Sequence, residues 1–264
     1  MSERPSFATR IKEGVALLRN RFVYNNLSRL DQYSETLLNY GYHGTEELRV
    51  DPEEEHLRSR LNLYYHVANG IDIVGKDVVE VGSGRGRGAY FIATSMNPRS
   101  LEAVDLSSQA IKFARKHYQT SGLRYSVGNA QNLSFPDSSF DVAINIESSH
   151  WYPNTKAFFA EIERVLRPGG HFLFADFRHI EDVSETELEI KSAGLTITTI
   201  EDITQNVIKA LDRDSEHKQR LIKKAPASLS RPISIFAGMK RSSMYQSFAT
   251  GRRVYTNYII QKKA

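Results

Sequence analysis

The sequence predicts an α/β fold organised around a doubly wound, mostly parallel sheet, and three observations carry that prediction. From residue 71 onward, short apolar runs alternate with helical segments. The runs lack the strict polar alternation of a strand with one wet face, and a glycine-rich turn joins the first run to its helix.

Residues 1–70 read as an N-terminal helical cap. Ile11, Val15, Leu18 and Phe22 recur at helical spacing with Arg19 and Arg21 between them, so one face is apolar and the other basic. Such a face either packs on its own domain or lies on a membrane surface; packing is the first choice. Tyr24, Tyr33, Tyr40 and Tyr42 follow, with Gly41 and Gly44 as breaks. Asp51-Pro52-Glu53-Glu54-Glu55 combines a residue able to cap, a proline suited to the first helical position and acids favoured by the helix dipole. It predicts a helix running to Ala68, ended by Asn69-Gly70.

The second part, residues 71–264, opens with a strand at Val78–Val81 and a helix at Gly86–Thr94. A strand is then predicted at Leu101–Asp105, a helix at Ser108–Tyr118, and strands at Arg124–Val127 and Asp141–Ile146. A helix over Thr155–Leu166 is closed by Arg167-Pro168-Gly169-Gly170, and His171–Asp176 is the next strand. Beyond Ser184 a short acidic helix leads to a strand at Leu195–Ile203. Helices at Asn206–Lys224 and Ile233–Phe248 precede a β-branched and aromatic strand at Arg253–Ile260. Residues 205–250 therefore read as a helical insertion between two strands, placed to serve as a lid.

Composition excludes several classes. The apolar runs fall far short of the ~20 residues of a membrane span. The first residues lack a basic region followed by an apolar one, so a cytoplasmic location is expected. With no cysteine there is no disulfide, thiolate metal site or thiol nucleophile. The net charge of +4 is uneven: residues 209–264 carry 13 basic against 3 acidic side chains. The basic residues are scattered among Asp212, Asp214 and Glu216, which favours a solvated face over a phosphate-binding patch, and no nucleic-acid partner is expected. Peripheral contact with a membrane stays open.

The sharpest local pattern is Glu80-Val-Gly82-Ser83-Gly84-Arg-Gly86, where a buried strand turns into a helix. Missing side chains let backbone N–H groups approach a ligand. A dinucleotide fingerprint starting at Gly82 requires glycine at position 87, where the chain has Arg87, so a nicotinamide or flavin cofactor is disfavoured. Asp105 ends the next strand, 23 residues beyond Gly82, where a carboxylate can accept both ribose hydroxyls. Its bland alternative is helix capping, a task that Ser107 and Ser108 can already perform. Glu80, beneath the turn, can hold the amine of an amino-acid-like ligand.

These residues, with Asp105-Leu106-Ser107, Gly128-Asn129-Ala130, Phe140-Asp141 and Arg164-Val-Leu-Arg-Pro-Gly-Gly170, resemble the class I S-adenosylmethionine-dependent methyltransferases in order and separation across roughly residues 71–204. The resemblance implies seven strands in a Rossmann-like sheet and makes 71–264 the S-adenosylmethionine-binding methyltransferase domain. It also implies S-adenosylmethionine as cofactor, held by Glu80, Gly82, Ser83, Gly84, Asp105, Leu106, Asn129 and Ala130. Asn129 stands where the family more often has aspartate; its amide oxygen can still accept from the adenine amino group.

Ile146-Glu147-Ser148-Ser149-His150-Trp151-Tyr152 follows the fourth strand, at the carboxyl edge where open α/β sheets bind ligands. Ile146 belongs with the donor site. Glu147 and His150 are the candidate catalytic residues, His150 as a general base taking a proton from an attacking hydroxyl. The alternative is a histidine that only shapes the pocket. Ser148-Ser149-His150 and Gly41-Tyr42-His43 resemble the branch of bacterial lipid and polyketide methyltransferases that includes the phthiotriolone type. This implies methyl transfer to a hydroxyl of a small hydrophobic natural product or lipid. The Glu-x-x-His spacing also resembles sterol and tocopherol C-methyltransferases, so O- and C-methylation both stay open here, as does ester formation on a carboxyl. A noncatalytic binding module is the rival of another class.

The remaining histidines lack ligand spacing, so no metal site is expected; Asp141, Asp176 and Glu147 around Mg²⁺ carry little weight. Asp176 reads simply as the end of a strand. Ser148 and Ser149 lack the Gly-x-Ser-x-Gly turn of a hydrolase.

Overall fold

The computed structural model describes residues 37, 39–45, 48–215, 240 and 242–264. Its strands are β1 (Asp77–Val81), β2 (Ser100–Asp105), β3 (Leu123–Val127), β4 (Phe140–Ile146), β5 (Leu166–His179), β6 (Leu195–Asp202) and β7 (Arg253–Lys262). They form one seven-stranded sheet in the order β3-β2-β1-β4-β5-β7-β6. Neighbours from β3 through β5 are parallel, and β7 runs antiparallel between β5 and β6. The expected doubly wound, mostly parallel sheet is therefore present.

The helices are α1 (Arg58–Ala68), α2 (Arg87–Ser95), α3 (Ser108–His117), α4 (Thr155–Val165), α5 (Val183–Ser192), α6 (Thr204–Arg213) and α7 (Ser243–Ala249). Successive side chains of a strand point to opposite faces, and here both faces are covered. Along β5, Leu173, Ala175 and Phe177 join the core layer shared with α1, α2, α6 and α7, whereas Phe172 and Phe174 pack with Phe158, Phe159 and Ile162 of α4. That is why the strands read as unbroken apolar runs. Leu61, Leu63 and Val67 of α1 share a core with β1, β2 and β4, so α1 packs directly on the sheet.

Four local expectations change. Asp51 makes no side-chain cap; a 3₁₀ turn over Pro52–Leu57 precedes α1, with the Glu54 N–H bonded to the Asp51 carbonyl at 2.8 Å. The helix expected to end at Leu166 stops at Val165, because Leu166 already pairs with Phe140. The next pair is Val142 with His171, so Arg167–Gly170 forms a bulge at the start of β5 and not a separate loop. The same strand continues past Asp176 to His179, held by its pairing with β7. Of the helices expected at 206–224 and 233–248, the described parts are α6 and α7; the rest, like the stripe from Ile11 to Phe22 with Tyr24 and Tyr33, lies outside the described residues.

Strand order reverses between β1 and β4, whose register pairs Val78 with Val142 and Glu80 with Ile144. The chain leaves β1 at Gly82 and β4 at Glu147, side by side, which opens a crevice at this switch point.

Candidate active site

A cavity of about 660 Å³ occupies that crevice. Gly82, Ser83, Gly84, Asp105, Leu106, Asn129, Ala130, Ile146, Glu147 and His150 all line it, which brings together every predicted site residue except Glu80.

The glycine turn is shaped from two sides. Gly82 has φ +83°, and a Cβ there would lie 2.1 Å from the Ser148 hydroxyl and 2.8 Å from that of Tyr152. The close approach of the β4 turn thus demands glycine. Gly84 has φ +56°, yet a Cβ on it would meet no protein atom within 4 Å. Its crowding-free side is a cradle that the protein itself does not fill. Asn145, fully buried, clips the two turns together by donating through Nδ2 to the Val81 carbonyl and the Ser148 hydroxyl, each at 2.7 Å.

Asp105 accepts from the N–H groups of Gly84 and Ser107, both at 2.8 Å. Burial pushes its carboxyl up, against the pull of these two bonds. Each carboxylate oxygen retains acceptor capacity for ligand hydroxyls. Helix α3 is capped by Ser107, whose hydroxyl accepts from the Ala110 N–H at 3.2 Å, so Asp105 is not needed as its cap. The Asn129 Oδ1 accepts from the Gln131 N–H at 3.1 Å and keeps a second lone pair.

Glu80 sits behind the turn, 1% exposed. Its Oε1 accepts from the Tyr64 hydroxyl of α1 at 2.8 Å, while Oε2 is buried with no hydrogen-bond partner. Burial pushes the carboxyl up to about 7, with the Tyr64 bond pulling down and Asp105 pushing up. The Ser83 hydroxyl is likewise buried and unpartnered. Two orphaned acceptors beneath an open glycine and a carboxylate beside it suit a ligand that carries a cation and a ribose, as the methyl donor does.

The opposite wall belongs to the β4 turn. Glu147 has φ +50°, a strained conformation for a side-chain-bearing residue. Its Oε2 accepts from the Tyr40 N–H at 2.9 Å and the Tyr255 hydroxyl at 3.0 Å. Three residues on, the His150 Nδ1 lies 2.7 Å from the Asp176 Oδ1, and the His150 N–H donates to the other oxygen at 3.0 Å. Asp176 also accepts from the Ser149 hydroxyl at 2.7 Å and the Phe177 N–H at 2.8 Å, and it pairs with Arg178 at 3.2 Å. Burial pushes the Asp176 carboxyl up, but the charges of His150 and Arg178 and these bonds outweigh it and hold the group well below the usual carboxylate range. In the neutral form of His150, an ionised Asp176 fixes the proton on Nδ1 and leaves Nε2 as an acceptor.

Asp176 is thus more than a strand end. The pattern of the sequence carried no signal for its pairing with His150, nor for that of Tyr64 with Glu80. Asp141 lies at the far end of β4, accepting from the Asp77 N–H at 2.8 Å and paired with Arg167, so it shares no site with Asp176 and Glu147. Among the described residues no group of three or more His, Asp or Glu could hold a metal.

Residues 79–174 match the family described as methyltransferase domain. The fatty-acid O-methyltransferase of Mycolicibacterium smegmatis is 33% identical over 99% of this chain and 96% of its own. A phthiotriol/phenolphthiotriol dimycocerosates methyltransferase of Mycobacterium tuberculosis is 33% identical over 82% of this chain and 80% of its own. Among solved structures, a putative sarcosine dimethylglycine methyltransferase from Galdieria sulphuraria aligns with a TM-score of 0.75 at 12% identity, covering 90% of this chain and 98% of its own. That last likeness concerns the fold.

Proposed function

The chain belongs to the class I S-adenosylmethionine-dependent methyltransferases, in the branch of the lipid O-methyltransferases, and from that premise we propose that its acceptor is a hydroxyl on a small hydrophobic natural product or lipid. It is an enzyme that takes S-adenosylmethionine as its methyl donor. The observation that carries the acceptor reading is His150 in the cavity lining, its Nδ1 2.7 Å from the buried Asp176 carboxylate.

When bound, the donor supplies a methyl carbon on a positively charged sulfur, which leaves with the C–S electron pair as the C–O bond forms. In this reading the Gly82–Gly84 turn, Asp105 and Leu106, and Asn129 and Ala130 hold its three parts in turn, with Ile146 packing alongside. Glu80, behind the turn, would hold the amine end through its unpartnered Oε2. His150 Nε2 takes the proton from the acceptor hydroxyl, and Asp176 keeps the imidazole in the required tautomer and stabilises the imidazolium that forms. Alignment of the reacting atoms contributes up to ~7–11 kcal/mol in favourable cases.

Glu147 supports this reading in a different way from His150. Its carboxylate is bonded to the Tyr40 N–H and the Tyr255 hydroxyl, so it ties the segment around Tyr40 to the cavity wall. Leu37, Tyr40, Trp151, Phe177 and Met244 give that wall an apolar and aromatic surface suited to an uncharged acceptor body. Residues 1–70 as cap and 205–250 as lid belong to the same proposal, since Tyr40 and Met244 come from those two segments. Cytoplasmic action is part of it too. Among the described residues no helix is long and apolar enough to cross a membrane.

The test is incubation of the full chain with isotope-labelled methyl donor and a panel of lipid alcohols, alkenes and acids. Mass spectrometry of the product then decides: a base-stable methyl ether supports the reading, and label on carbon removes it.

A further inference from the structure

The acceptor side of the cavity holds a cation that the chemistry so far does not use. Arg253, the first residue of β7, stands directly across from His179, the last residue of β5. Both line the cavity at its rim. The half-buried Arg253 guanidinium reaches a thioether, an imidazole and an aromatic ring: the Met244 sulfur at 3.1 Å, the His179 Nε2 at 3.0 Å, and the Phe177 ring with its centroid 5.8 Å away. Among the described residues it has no carboxylate partner. Arg178 beside it differs, being paired with Asp176 at 3.2 Å and bonded to the Phe177 carbonyl at 2.8 Å. A guanidinium has five donors matched to a planar anion, so Arg253 presents unsatisfied capacity to whatever occupies the mouth.

The placement of Phe177 gives this cation meaning. The same ring packs against His150 with centroids 4.2 Å apart, so one aromatic side chain separates the proposed base from the rim cation. We propose that the acceptor carries a carboxylate as well as the hydroxyl that is methylated, and that Arg253 holds the carboxylate while the hydroxyl lies at His150. The acceptor is then a hydroxy acid with an apolar body, oriented by two oxygen functions on either side of Phe177. Asp182, an exposed carboxylate among the lining residues, favours a monoanion over a doubly charged phosphate, because like charge penalises the latter more. The proposal rests on the O-methylation reading above and adds to it the class of acceptor.

The experiment uses the full chain with S-adenosylmethionine and hydroxyhexadecanoic acids whose hydroxyl lies at increasing distance from the carboxylate. Their methyl esters and the matching hydroxyalkyl phosphates complete the panel, with products located by mass spectrometry. The expected result is an ether on one positional isomer, with the free acid preferred over its ester by about ten- to a hundredfold in kcat/KM. Arg253→Met should remove that preference by raising KM for the acid alone, and Arg253→Lys should retain part of it. Unchanged donor affinity in both variants shows that they fold.

Equal use of acid and ester overturns the proposal, as does a preference for the phosphate, or a methyl group found on the carboxylate itself. Ethers formed from neutral alcohols without regard to Arg253 would sink this inference and leave the O-methylation reading standing. Label on carbon, or no turnover of any lipid oxygen while donor still binds, would sink both.

Discussion

His150 and Asp176 are joined twice: the carboxylate takes the imidazole Nδ1 at 2.7 Å and the same residue's backbone N–H at 3.0 Å. A ring held at both its edge and its root has little freedom to rotate, so the unbonded Nε2 keeps a fixed direction.

The first prediction follows from that double attachment. Asp176→Asn preserves shape but presents an amide to Nδ1, which favours the wrong tautomer; turnover should fall by about 10²-fold or more. His150→Ala should fall at least as far. Because the proposed donor contacts include neither residue, calorimetry should find donor affinity within a few-fold of the parent in both. A His150→Ala enzyme with full turnover at neutral pH would reduce the residue to a wall of the pocket.

Asp105 gives a prediction of the opposite kind. Its two oxygens already hold the Gly84 and Ser107 N–H groups at 2.8 Å. Asp105→Ala therefore removes both a hydroxyl acceptor and the support of the turn, and donor affinity should weaken by about 1.5–3 kcal/mol, the range for hydrogen bonds to a charged group. Asp105→Asn should recover part of the loss, since its amide oxygen can still accept. An unchanged dissociation constant in the alanine variant would remove the ribose assignment.

The glycine turn separates fold from ligand. Gly82→Ala puts a Cβ 2.1 Å from the Ser148 hydroxyl at φ +83°, so clash and strain act together and the melting temperature should drop sharply. Gly84→Ala meets no protein atom within 4 Å, and only its φ of +56° is penalised, by about 1–2 kcal/mol. For this variant the loss should appear mainly in donor affinity. Thermal melts and calorimetry on the two proteins check the contrast; equal loss of stability in both would show that the space over Gly84 is not a ligand cradle.

Much of this arrangement was legible because it depends on local chemistry. Val78–Val81 and Phe172–Ala175 are apolar at every position or nearly so, which only a strand covered on both faces requires, and a glycine turn at the end of the first such strand marks the switch point. What stayed hidden depends on register and on contacts between distant elements. Asp176 meets His150 because Ile146 pairs with Ala175 and a 3₁₀ turn then folds the next residues back over β5. Shifting that register by one residue would turn Asp176 to the other face. Tyr64 reaches Glu80 only once α1 packs across the sheet, a docking that no spacing within α1 encodes. The bulge of Arg167–Gly170 is similar: proline and glycine announced a break, but the pairing of Leu166 with Phe140 decided that the strand begins before them.

Glu80 carries the last prediction. Its carboxyl is pushed up by burial from the ordinary 4.5 to about 7 in the folded chain. Between those values the folded state holds a proton that the unfolded state has released, so stability falls as pH rises through this window, by roughly 3 kcal/mol in all. Glu80→Gln keeps an oxygen for the Tyr64 hydroxyl and cannot ionise. Without ligand, the melting temperature of the parent should therefore decline from pH 5 to pH 8 more steeply than that of the glutamine variant. A cationic amine near the unpartnered Oε2 reverses the balance by favouring the carboxylate. Donor binding should then strengthen with rising pH across the same window and release close to one proton, measurable by calorimetry in buffers of different ionisation enthalpy. Glu80→Gln should abolish that proton release. Parallel melting curves for the two proteins would mean that Glu80 is ionised throughout, and proton release that survives in the variant would assign the linkage to another group.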